Sequence, residues 1–114
     1  MRRMTTALIV GLCVLAAAPA VAADNATLHR GMEVFQKWCA PCHAPGPKHP
    51  GTQALAALYK GKKPAALEKR TDLTPQLVSY FVRNGVSVMT PFRKTEIGDA
   101  DLAALGAYLS QHSK

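Results

Sequence analysis

Apolar residues recur at helical spacing in four stretches of the chain, and strand-like alternation is absent. In the first stretch, residues 27–43, Leu28, Met32, Phe35 and Trp38 lie about a turn apart, so all are expected to face the core. Thr27 or Asn25 is placed to cap this helix, and Pro41 to end its regular part. A second, short helix is predicted over 52–60, with Thr52 as cap and Gly61 as stop; the preceding APGPKHPG reads as loop. The clearest boundaries flank TPQLVSYFVRNG. Thr74 is a cap, Pro75 suits the first helical position and Gly85 the end, with Leu77, Val78, Phe81 and Val82 as the apolar stripe. The last helix follows Gly98, with Asp99 and Asp101 near its positive end and Leu102, Leu105, Tyr108 and Leu109 on one face. A single turn is allowed after Pro64, and the segment around Met89 to Pro91 reads as irregular. The expectation is an all-α bundle of about four to five short helices.

The first 23 residues are patterned differently. A basic start, a dozen apolar residues and then APAVAA, with Ala20, Val21 and Ala22 in the A-x-A form, read as a cleaved secretory signal. The apolar run falls short of the ~20 residues of a membrane span. Residues 24–114 are then the working domain, expected in the periplasm without stable membrane insertion. Loss of Arg2 and Arg3 takes the formal charge from +7 to +5, and loss of Cys13 leaves two cysteines. Ninety-one residues with few aromatics make a modest core, which a large apolar cofactor would help to organise.

Those two cysteines sit in CAPCH, as Cys39, Cys42 and then His43. A structural disulfide leaves the adjacent histidine unexplained. A thiol–disulfide redox module normally has a strand–helix setting, and a zinc site needs about four ligands. C-x-x-C-H is the specific pattern for covalent haem attachment. Two intervening residues let both thiols reach the vinyl edge of one macrocycle, and the next residue falls beneath the iron. Cys39 and Cys42 are therefore the expected thioethers of one haem c, and His43 an axial iron ligand.

A second axial ligand has four candidates: Met89, His49, His112 and Met32. Met89 is best placed, since it follows His43 by 46 residues and lies in an irregular segment between two helices. His49 is too close to His43 to reach the opposite face easily. His29 and His112 are expected in solvent.

With these residues in place, the chain resembles a class I, single-haem c-type cytochrome over nearly all of residues 27–111. Gly31, Phe35 and Tyr108 match positions where that family's first and last helices cross. The resemblance also implies that the Pro47 carbonyl accepts the His43 Nδ1 proton. It departs from the family in one place: Thr90 separates Met89 from Pro91. Residues 57–97 are similar to cytochrome subunits of flavoprotein oxidoreductases such as p-cresol methylhydroxylase and eugenol hydroxylase, which implies a flavoprotein dehydrogenase or hydroxylase as partner.

The implied function is single-electron transport rather than catalysis. Leu55, Leu77, Phe81 and Tyr108 are expected to shield the iron. Lys60, Lys62, Lys63, Lys69, Arg70, Arg93 and Lys94 suggest docking to an acidic redox protein; nucleic acid is not expected. Two rivals stay open: a haem enzyme or gas sensor with an open sixth site if Met89 is unbound, and the thiol redox module.

Overall fold

The computed structural model describes residues 22–114; the expected signal lies almost wholly outside the described residues. Helix α1 spans Asn25–Val34 and runs without a break into a π-helical turn, Phe35–Cys39, and then α2, Ala40–His43. Asp24, not Thr27 or Asn25, is the N-cap, its carboxylate accepting from the Thr27 N–H at 2.7 Å. Helix α3 covers Pro50–Tyr59, a 3₁₀ turn covers Leu67–Lys69, α4 covers Pro75–Asn84 and α5 covers Asp99–Ser110. No strand forms among the described residues; Val86 and Met89 make an isolated backbone bridge.

The first and last helices cross at Gly31. A Cβ there would stand 2.2 Å from the Ala104 carbonyl oxygen and 2.6 Å from Tyr108 Cβ, so only glycine allows this approach. Phe35 is fully buried beside Tyr108, ring centroids 6.0 Å apart. Arg30 closes the crossing at the surface with a two-pronged bond to Asp101, at 2.8 and 3.0 Å.

Phe35, Ile97 and Leu105 are the largest fully buried side chains, joined by Val34, Leu73, Val78, Val82, Leu102 and Leu109. Met32, expected in the core, is exposed, because the inward face of α1 runs through Gly31, Val34 and Phe35 instead. Helix α4 matches its sequence signals. Thr74 Oγ1 accepts from the Leu77 N–H, Pro75 is the first residue, and Gly85 follows at φ 68°. Helix α3 starts at Pro50, two residues before the expected cap. Thr52 lies inside it, buried, and donates to the Ala44 carbonyl at 2.8 Å. At its other end Lys60 adopts the left-handed conformation ahead of Gly61.

Candidate functional site

Cys39, Cys42, His43 and Met89 all line one cavity of about 360 Å³. Four helices, the π turn and the Met89 turn build its wall. The π turn and α2 carry the CAPCH residues. Helix α3 supplies Leu55 and Tyr59, and α4 supplies Leu77, Val78, Phe81 and Val82. Leu67, Leu73, Leu105 and Leu109 complete a wall that is almost wholly apolar.

Met89 is carried by a tight turn. The Val86 N–H donates to the Met89 carbonyl at 3.0 Å and the Met89 N–H returns the bond at 2.9 Å, with Ser87 at φ 52°. Gly85 starts this turn under close constraint: a Cβ would meet the Met89 carbonyl oxygen at 2.4 Å and the Pro91 nitrogen at 2.9 Å. Beyond the turn the chain is tied back to α4, since the Phe92 N–H donates to Val82 and Arg83 donates to the Phe92 carbonyl. Phe92 then meets Trp38 edge-on at 5.8 Å, which joins the Met89 segment to the helical run that bears the cysteines.

The other candidate ligands lie elsewhere. His49 donates from Nδ1 to the Pro41 carbonyl at 3.1 Å and precedes α3. Met32 and His112 are exposed, as is His29, which pairs loosely with Glu33. None of the four lines the cavity. Tyr108 does not line it either: it packs in the helix crossing and donates its hydroxyl to Glu68.

His43 is half-buried, and burial lowers its pKa, keeping the imidazole neutral and able to donate electrons. Its Nδ1 is buried without a hydrogen-bond partner. The Pro47 carbonyl, expected as that partner, is not bonded to it and accepts from the Gln53 side chain. The early start of α3 brings Gly51 against the imidazole, where a Cβ would stand 2.9 Å from Nδ1 and 2.7 Å from Cε1. The two thiols are free and unlike. Burial, with a smaller push from Cys42, drives the Cys39 pKa up to about 12, whereas Cys42 is exposed.

Arg70 is the one charged side chain on the cavity wall, and it is 8% exposed. It was expected on a surface docking rim. Instead Nε and Nη2 donate to Asp72 at 2.7 and 2.8 Å, and Nη1 donates to the Tyr59 hydroxyl at 2.8 Å. Three of its five N–H groups are engaged, and the guanidinium also lies over the Tyr59 ring. Sequence reasoning missed this role, and the roles of Tyr59 and Gly51, because proximity to the cavity is set by chain wrapping.

This donor set fits a haem. It offers two sulfurs for covalent attachment, a neutral imidazole, a thioether and an apolar wall with one cation for an anionic edge. Among the described residues no group of three or more His, Cys, Asp or Glu could hold a metal ion, so zinc lacks a ligand set there.

A family model described as cytochrome c oxidase, cbb3-type, subunit III matches residues 26–109. The chain belongs to this family of cytochrome c domains. No curated protein matches it. Membership makes it a haem c electron-transfer protein rather than an enzyme, working with redox partners. No described helix is long and apolar enough to cross a membrane.

Proposed function

We propose that this cytochrome is a periplasmic single-electron carrier, exported with residues 1–23 removed. Cys39 and Cys42 would hold one haem c as thioethers, and His43 and Met89 would be the ligands of its iron. The observation that carries this reading is Met89: of the four candidates for the sixth position, it alone shares a cavity wall with both thiols and His43. Bound haem supplies a one-electron Fe(III)/Fe(II) couple.

The chain's own residues do the rest. With His43 and Met89 both committed as ligands, no iron position would be left for a substrate. The Met89 sulfur is a soft donor that favours Fe(II) and raises the potential. Leu77, Val78, Phe81 and Val82 keep water from the site. Arg70, with donors left over on the cavity wall, would hold anionic groups of the cofactor. The donor is proposed to be a flavoprotein and the acceptor a respiratory protein. The support for the flavoprotein is the likeness of residues 57–97 to flavocytochrome subunits.

The deciding measurement is the visible spectrum of the exported protein, oxidised and reduced. Sharp reduced bands with a weak far-red band in the oxidised form are expected. In Met89→Ala the far-red band disappears, carbon monoxide binds the reduced form, and the potential falls by on the order of 100 mV, within the range axial ligands command. A variant that keeps its spectrum and potential would remove Met89 as ligand.

A further inference from the structure

The segment 85–98, between α4 and α5, brings Met89 to the cavity with no helix of its own. Its tip is closed only on itself, since Val86 and Met89 exchange backbone bonds at 3.0 and 2.9 Å. That bridge fixes the shape of the turn but ties it to no other element. At the far end Ile97 is fully buried and anchors the chain ahead of α5. Between tip and anchor, Phe92 is where the segment returns to α4. Its N–H donates to the Val82 carbonyl at 2.8 Å, and its ring packs edge-on against Trp38.

One side chain spans this return. Arg83, in the last turn of α4, donates from Nη1 to the Phe92 carbonyl at 3.2 Å and from Nη2 to Asp99 at 2.9 Å. The Phe92 peptide is therefore held on both sides, by the backbone of α4 and by a charged side chain. Among the described residues, no other side chain bonds to the backbone of residues 85–92. Asp99 is the first residue of α5 and also accepts from Lys94, within the same segment, at 2.9 Å. Lys94 first and then Arg83 lower its pKa, so it is ionised at neutral pH. Arg83 is 21% exposed and Asp99 66%, and an ion pair so open to water adds little to the stability of the whole fold. Its effect is local. Residues 85–91 contain no helix to unwind, so apart from Met89 itself it is the fastening at Phe92 that opposes their departure.

Resting on the reading of Met89 as an iron ligand, we propose that Arg83 is a positioning residue that latches the Met89 segment to α4 and α5, and so keeps external ligands from the sixth position. Arg83 does not line the cavity and acts through Phe92 and Asp99. Exchange of the thioether for an added ligand then requires the latch to open first. The Met89 sulfur leaves with its lone pair, the entering nitrogen supplies another, and no electron is transferred.

The test uses the oxidised, haem-loaded protein, with imidazole as the entering ligand and the far-red band as the record of Met89. The limiting rate at saturating imidazole reports how often the segment opens. In Arg83→Met that rate should rise at least about fivefold, as loss of hydrogen bonds from a charged group predicts. The urea midpoint should stay close to wild type. Asp99→Asn keeps the bond from Arg83 to Phe92, so its rate should rise by a smaller factor. Arg83→Lys should also rise less, since an ammonium lacks the fork that meets both acceptors. An unchanged rate in Arg83→Met, or in Arg83→Lys should the first variant not fold, with a normal far-red band, overturns the latch alone. A rise matched by an equal loss of global stability also overturns it, because the residue is then only structural. A wild type without the far-red band removes Met89 as ligand and the latch with it.

Discussion

Arg70 sets a permanent positive charge against an otherwise apolar wall, held in place by Asp72 and Tyr59. A cation on the wall of a haem cavity favours the reduced state, so its removal should lower the potential. For Arg70→Gln a change of roughly 1 kcal/mol, or about 40 mV for one electron, is expected. Arg70→Lys should retain most of the potential but lose stability, because lysine lacks the planar fork that meets the Asp72 carboxylate. A redox titration separates the two roles: an unmoved potential in Arg70→Gln would leave the residue purely structural. The same residue shows where sequence legibility stopped. Cys39, Cys42 and His43 are local, and their spacing carries its own chemistry. Arg70 reads as one basic residue among several until α3 brings Tyr59 against it.

Two glycines control how the elements meet. At Gly31 the obstacle to a side chain is the Ala104 carbonyl, which belongs to the backbone of α5 and cannot swing away. Gly31→Ala should cost roughly 3 kcal/mol, at the upper end for overpacking. That lowers the melting temperature by on the order of 15 °C for a domain of this size. At Gly85 the backbone has φ 68° and ψ 178°, a region open essentially to glycine. Gly85→Ala should displace the turn that carries Met89, weakening the far-red band and admitting carbon monoxide while helical circular dichroism persists. A variant with an intact far-red band would show that the turn tolerates the strain. The Gly31 crossing was foreseen through its resemblance to known cytochromes. Gly85 was read only as a helix stop, since its collision is with residues four and six positions later in a turn that no short pattern announces.

Across the whole molecule, stability depends on pH at both ends of the scale. Hydrogen bonds from Arg70 first, and then Lys63, hold the Asp72 pKa well below the usual carboxylate range. The unfolded chain takes up that proton near pH 4 and the folded chain only at lower pH, so the stabilisation is present above about pH 4 and declines below it. The difference in melting temperature between wild type and Asp72→Asn should therefore shrink as pH falls from 5 to 2. The carboxylate is half-exposed, so salt should shrink it as well. Tyr108 behaves in the opposite sense. Burial, and then the Glu68 carboxylate, push its pKa up to about 12. The neutral phenol contributes below about pH 10, and its contribution is lost as pH rises to about 12. Tyr108→Phe should flatten this alkaline decline.

The sequence by itself determined the helical class, the caps of α4 and the C-x-x-C-H motif, because each rests on spacing within a few residues or on the chemistry of a residue type. Only the tertiary structure decided that Met32 faces solvent, that Gly51 packs against the His43 ring, and that Arg70 lines the cavity. Those outcomes depend on which face of one helix meets another and on where α3 begins. Contacts between residues far apart in the chain set both.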